Sequence, residues 1–251
     1  MKSSFFKNLG PISLTTIKEH LKCTTINIDE ETFYDEFTSI KNLKKRGLSF
    51  LTDKHFSKEI ILSDGTIICS QSIDRKLINT NPLIIVQDVH SAVAKLSNIF
   101  YRSLKNNEIE MLDEPRIDTN CNISESAIIE NGSIIGKNVS IGAGCFIGYN
   151  CIIGDNAFIG SNTVITNSII AENTYVGRNS SLGQHGFGFA INKNKNIKIF
   201  HSGRLIIQAG ANIGSNCSID RGSFGDTIIG QNTYFDNMCH VAHNVIVGNN
   251  C

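Results

Sequence analysis

Ile135-Gly136-Lys137-Asn138-Val139-Ser140-Ile141-Gly142-Ala143-Gly144-Cys145-Phe146-Ile147 holds two copies of a six-residue unit, and its reading decides the fold. Outward from it the same beat runs without a break from Ile117 to Ile165, at positions 117, 123, 129, 135, 141, 147, 153, 159 and 165. It slips by one residue to Ile170 and continues through Val176 and Leu182. After an insertion it resumes at Ile207, Ile213 and Ile219, and after a shorter one at Ile229, Phe235, Val241 and Val247. An amphipathic helix repeats its apolar face near every 3.6 residues and a strand every second residue, so a period of six fits neither. A fixed short period marks a stacked array, and six is a β-helix period.

The remaining hexad positions say how the chain turns. Three residues after almost every aliphatic stands Asn or Gly, from Asn120 and Gly132 through Asn156 to Gly210, Gly222, Asn244 and Asn250. These residues accept positive φ most readily, so each unit is expected to bend there. One residue further on comes a small or β-branched side chain, as at Ala127, Ser133, Val139, Ala157 and Thr163. The pattern predicts a short parallel strand and a corner, repeated, with three sides closing a triangular coil around an isoleucine ladder. Strand and helix do not alternate, which excludes a doubly wound sheet. The expected class is mainly β: a parallel β-helix of hexapeptide repeats, left-handed by likeness to hexapeptide proteins, preceded by a small α/β domain.

The chain has 251 residues, enough for one large domain or two modest ones, and a net charge of zero. No basic run extends beyond Lys44-Lys45-Arg46, which argues against nucleic acid as a partner. No apolar run approaches a membrane span and no secretory leader is evident, so a cytoplasmic protein without a transmembrane segment is expected. Six of the eight cysteines, Cys121, Cys145, Cys151, Cys217, Cys239 and Cys251, occupy the small hexad position, where a thiol is a compact filler. Without a C-x-x-C pair, a metal cluster is not expected.

Ahead of the hexads, residues 1–12 read as a loose lead. Ser13 is a candidate cap for a helix with Leu14, Ile17 and Leu21 on one face. Short apolar runs at 60–62 and 66–69 flank a turn at Ser63-Asp64-Gly65. Leu83–Val86 reads as a buried strand, and Asp88 as the cap of a helix with Val89, Val93, Leu96 and Phe100 on its face. This gives an α/β domain over 1–103, a polar linker over 104–116 and the β-helix over 117–251. Two excursions interrupt the coils: Gly183 to about Arg204, with Gln184-His185-Gly186-Phe187-Gly188-Phe189-Ala190, and Asp220-Arg221-Gly222-Ser223-Phe224-Gly225-Asp226. A coil admits an insertion only by looping it outward, and such loops tend to carry function.

Two histidines stand three apart in Asp236-Asn237-Met238-Cys239-His240-Val241-Ala242-His243-Asn244. Val241 points inward, which leaves both imidazoles free to face out. Met238 takes the place of the usual Asn or Gly. Imidazole suits general-base work near neutrality; surface or subunit-contact histidines are the plain alternative.

The array, the Gly186–Ala190 loop, Thr227-Ile228-Ile229-Gly230 after Ile219-Asp220-Arg221-Gly222, and Ala242-His243-Asn244 together resemble the UDP-3-O-acylglucosamine N-acyltransferases of lipid A biosynthesis. Leu48-Ser49-Phe50-Leu51 followed by Phe56 is similar to that family's uridine-binding segment. Departures are His185 where the family has Asp, Phe56 for Tyr, Asp53 for Asn and His240 for Gln. A His-x-x-His pair resembles the sister UDP-N-acetylglucosamine O-acyltransferases, which lack the front domain.

The resemblance implies transfer of a 3-hydroxyacyl group from acyl carrier protein to the 2-amino group of UDP-3-O-(3-hydroxyacyl)glucosamine, in a homotrimer and with no metal or redox cofactor. An amine that adds to a thioester must lose a proton, which makes His243 the candidate base and Asp236, seven residues earlier, the carboxylate expected to orient or charge-stabilise it. On the same resemblance Phe50, Asp53 and Phe56 are expected to hold the uracil, and Asn237, His240 and Asn244 to contact the substrate. In that family the oxyanion donor comes from a later coil, beyond the position of Cys251; the array stops there in full rhythm, so the chain is expected to be C-terminally incomplete. The rival reading is a non-catalytic β-helix that binds UDP-sugars.

Overall fold

The computed structural model describes residues 5–52, 64–73, 81–191 and 195–251. They form two compact units. One holds Phe5 and Phe6, Ser103–Phe187 and His201–Cys251; the other holds Lys7–Arg102 and Gly188–Phe200.

The first unit is a parallel β-helix, as the six-residue beat predicts. Ile117 lies beside Ile135, Ile135 beside Ile153, Ile153 beside Ile170, Ile170 beside Ile207, Ile207 beside Ile229 and Ile229 beside Val247. Three hexads therefore make one coil, and three parallel sheets of seven, six and six strands make its faces. Strands of only two or three residues hold because every coil hydrogen-bonds the next, as where the Gly142 N–H donates to Ile159 O at 2.8 Å. The ladder side chains fill the interior: Ile147, Ile159, Ile165, Ile170, Val176, Leu182, Ile207, Ile213 and Ile229 have no solvent exposure. Each such burial contributes about 1.5–3 kcal/mol.

The corners behave as the Asn and Gly pattern requires. Asn120, Asn138, Asn150, Asn156, Asn162, Asn173, Asn179, Asn216, Asn232, Asn244 and Asn250 all have φ between 54° and 64°, and Met238 takes the same conformation at 61°. The corner asparagines also bond along the coil axis, Asn138 Nδ2 to Asn156 Oδ1 at 3.0 Å and Asn156 Nδ2 to Asn173 Oδ1 at 3.2 Å. Gly222 is a correction, because its φ is not positive. A side chain is excluded there by close approach, since a Cβ would meet Gly225 O at 1.7 Å. The one-residue slip before Ile170 is absorbed at Asn167 (φ 51°), which keeps Ile169 beside Ile152.

The described part of the N-terminal lead, residues 5–12, is not loose. Phe5 is buried with the ladder residues, and its carbonyl accepts from Tyr149 Oη at 2.9 Å. The stretch read as a linker carries a short helix, Asn106–Glu110, and ends in the first coil strand, Arg116–Ile117. Cys145, Cys151 and Cys217 are buried, Cys121 and Cys239 half-buried and Cys251 exposed, and all eight cysteines are free thiols. Burial pushes the Cys151 thiol up to about 12.

The second unit is a five-stranded sheet in the order Cys23–Ile26, Leu83–Val86, Thr66–Ser70, Gly47–Phe50, Glu36–Phe37. Its first pairing is antiparallel and the others parallel. Ser13 caps helix Leu14–His20 by accepting from Thr16 N–H, and Asp88 caps helix Val89–Phe100 by accepting from the His90 and Ser91 N–H groups, both as the sequence predicts. The hairpin of Phe189–Ala190 with Ile197–Lys198 belongs to this unit. Asn98 Nδ2 donates to Lys198 O at 2.7 Å and Phe200 N–H to Ser97 Oγ at 2.9 Å. The apolar run at 60–62 lies outside the described residues. Among the described residues no helix is long and apolar enough to cross a membrane.

Candidate active site

His243 follows the inward Val241 by two residues and immediately precedes the left-handed corner Asn244, so its imidazole projects from the coil half-buried. The geometry of Asn244 fixes what that imidazole can do. Asn244 Oδ1 lies 3.0 Å from Ser223 N and 2.7 Å from Ser223 Oγ. A backbone N–H only donates, so the amide atom facing it is the oxygen. The same oxygen stands 2.8 Å from His243 Nδ1, and an acceptor there requires Nδ1 to carry the proton. Nε2 is then left with the lone pair, the state a general base needs. Asn244 is itself anchored, its N–H donating to Thr227 Oγ1 at 2.9 Å.

This gives Asn244 a role that the sequence reading assigned to Asp236. Asp236 follows Phe235 by one residue and stands before the corner at Met238, whereas His243 stands before the next corner. Its carboxylate instead accepts from the Asn237 N–H at 2.7 Å and from Asn237 Nδ2 at 3.3 Å. Asn237 Oδ1 in turn accepts from Ser215 N–H at 2.8 Å, tying its coil to the one before. His240 is exposed on its strand, with Nε2 3.3 Å from Asp220 Oδ2.

The first excursion supplies residues that spacing alone did not reveal. His201 is fully buried, and Gly186 N–H donates to its Nδ1 at 3.2 Å. The His185 ring stacks on it, 4.1 Å between centroids and 15° between planes. His243 meets His201 edge-on at 4.9 Å and 64°. Behind them lies Arg221, buried, with Nε donating to His201 O at 3.1 Å and Nη1 to Asn167 Oδ1 at 3.1 Å and Gly183 O at 3.2 Å. Its guanidinium lies 5.1 Å over the Phe6 ring, and burial lowers its pKa to about 10. The two excursions are clamped together by Arg204, whose N–H and Nε reach Asp226 Oδ1 at 2.9 and 3.1 Å and whose Nη2 reaches Oδ2 at 2.7 Å. The available signal for His201 was its place at the end of the excursion that His185 opens.

Of the expected uracil residues, Phe50 ends the strand Gly47–Phe50, half-buried, its ring 5.7 Å from Phe37. Asp53 and Phe56 lie outside the described residues. The α/β unit also has an open cavity of about 540 Å³ lined by Lys22, Cys23, Ser70, Ser72 and Gln87 among others. None of the expected substrate residues that are described lines it, and the candidate site is centred on His243. Among the described residues no group of three or more His, Cys, Asp or Glu side chains is arranged to hold a metal ion.

The sequence profile of the GMPPB C-terminal domain matches residues 111–192. Among solved structures, UDP-N-acetylglucosamine acyltransferase from Campylobacter jejuni is 24% identical with a TM-score of 0.40, over 54% of this chain and 49% of that one. The UDP-3-O-acylglucosamine N-acyltransferase of Caulobacter vibrioides is 48% identical over 69 residues, 28% of this chain and 20% of the relative. That of Methylobacterium nodulans is 49% identical over the same length. The matched stretch thus spans about a fifth of these curated relatives, and over it the chain is similar to the UDP-3-O-acylglucosamine N-acyltransferases.

Proposed function

We propose that the protein is an N-acyltransferase that moves a 3-hydroxyacyl group from acyl carrier protein to the 2-amino group of UDP-3-O-(3-hydroxyacyl)glucosamine. The observation that carries this reading is the 2.8 Å contact of His243 Nδ1 with Asn244 Oδ1, an oxygen already accepting from Ser223 N–H, which assigns the proton to Nδ1 and turns Nε2 to the substrate side as the base. As the amine adds to the thioester carbon it must lose a proton, and Nε2 takes it; the proton then leaves with the carrier thiol. General-base catalysis of this kind is worth roughly 10²–10⁴ in rate. Phe50 offers a ring face for a uracil, with Asp53 and Phe56 assigned to the same clamp by resemblance. Asn237 and His240 are assigned to the substrate in the same way.

The eight free thiols fit a reducing compartment, and we place the enzyme in the cytoplasm with its carrier. A ladder of outward isoleucines on one coil face, among them Ile134, Ile152, Ile228 and Ile246 at register positions of a single sheet, supports homotrimeric packing.

The test is mass-spectrometric detection of acyl transfer from acyl carrier protein, with UDP-3-O-acylglucosamine and UDP-N-acetylglucosamine offered as separate acceptors. Transfer to the amine of the first, falling at least about a hundredfold in His243→Ala, is expected. Transfer only to the hydroxyl of the second would replace the reading with O-acylation. Nucleotide-sugar binding without transfer to either would make the protein a binding module.

A further inference from the structure

The three imidazoles in contact, His185, His201 and His243, are more than one base needs. The Gly186 peptide is held from both sides: its N–H donates to His201 Nδ1, and its carbonyl accepts from His185 Nδ1 at 2.8 Å. A carbonyl cannot donate, so His185 carries its proton on Nδ1; an amide N–H cannot accept, so His201 carries its lone pair there. His201 is thereby a neutral imidazole of defined tautomer, with no solvent exposure. Its carbonyl is fixed by Arg221, whose other bonds reach Asn167 and Gly183. One wall of the His243 ring is this fixed imidazole and the Gly186 peptide. A Cβ on Gly186 would lie 2.8 Å from His243 Cδ2 and 2.9 Å from both His243 Cβ and His201 Cε1.

We propose that His201 is a positioning residue for His243: held by the Gly186 N–H, it braces the ring on the side away from Asn244, so that Nε2 keeps one direction. Asn244 alone fixes one ring atom and leaves the ring free to swing about the bond it makes. The edge contact with His201 removes that freedom. The essential property of His201 is an acceptor for the Gly186 N–H within a flat, neutral side chain. This inference rests on His243 acting as the base.

The experiment compares His201→Leu, which fills the space without an acceptor, with His201→Gln, whose Oε1 can accept from Gly186. Acyl transfer is measured by mass spectrometry, with melting temperature and circular dichroism recorded for each variant. His201→Leu should lower kcat about tenfold to a hundredfold, the scale of a catalytic group displaced by roughly an ångström, while KM for the nucleotide sugar stays within about twofold. His201→Gln should recover most of the loss. Normal kcat in a folded His201→Leu protein would overturn the proposal, and so would equal losses in the two variants. His243→Ala, run alongside, separates the layers: if it turns over normally the base assignment fails, whereas if it is inactive and His201→Leu is normal only the positioning role fails. Should His201→Leu not fold, His201→Gln decides, because a loss of more than about tenfold in a folded Gln variant contradicts rescue by an acceptor.

Discussion

Gly186→Ala adds one methyl group where the structure has no room. The backbone at Gly186 lies outside the left-handed region, so an alanine fits the chain path and the effect isolates the contact. The new carbon would stand 2.8 Å from His243 Cδ2 and 2.9 Å from His243 Cβ, where carbon pairs settle at about 3.5–4.0 Å. The Cβ of His243 is the root of its side chain and cannot rotate away, so ring or loop must move by more than half an ångström. Accommodating such overpacking costs about 1–3 kcal/mol of stability. Displacing the base by up to about an ångström should lower kcat by up to about a hundredfold, or about 2.7 kcal/mol on the barrier. The assay is initial-rate acyl transfer with a parallel thermal melt. A Gly186→Ala protein with kcat within about threefold of the parent and an unchanged melt would refute the claim that this peptide bears on His243.

Three further outcomes follow from the coils. Ile159→Ala removes a side chain with no exposure from the middle of the ladder and should cost about 2–5 kcal/mol in denaturant unfolding. Asn156 has φ 58° and bonds both axial neighbours; Asn156→Val should lose about 1–2 kcal/mol from the left-handed backbone alone, whereas Asn156→Gly should lose less, and a melting series reads the difference. The Cys151 thiol, buried and pushed up to about 12, is protonated at pH 8 and should alkylate slowly in the native protein, long after the exposed Cys251. Peptide mapping of a timed iodoacetamide reaction checks the order.

The fold was legible in the sequence because each coil is written locally. An isoleucine every six residues and an Asn three later specify one side and one corner, and stacking repeats that decision without long-range choices. Even the slip at Asn167 was visible, since the beat showed where a residue was missing. Met238 was visible as an irregularity, and the structure puts it in the conformation its position demands. Gly222 was misread because tight backbone approach and positive φ select the same residue. The site was legible only in part. His243 stood out by type and spacing, but its orienting partner is the adjacent Asn244, and that role depends on Ser223 arriving from the preceding coil. Asp236 was a reasonable partner on distance along the chain, yet one side of the triangle separates it from His243. His201 lies 42 positions from His243 and meets it only because an excursion from one coil folds back beside the histidine of a later one.

The eighteen-residue coil also sets the unit in which this molecule can change length. Apart from Tyr149, whose hydroxyl donates to Phe5 O, the storey 138–155 is hydrogen-bonded to the storeys above and below it, and the registers Ile117↔Ile135 and Ile135↔Ile153 are interchangeable steps. Removing or duplicating one such storey below Asn167 shortens or lengthens the column and leaves the histidines over the same corner. A one-residue insertion or deletion between Ile207 and Val241 has the opposite effect wherever no corner absorbs it as Asn167 does, because it turns every later side chain out of phase: ladder residues face water and His243 leaves its corner. The protein is therefore tolerant of large edits at one height and intolerant of the smallest at another.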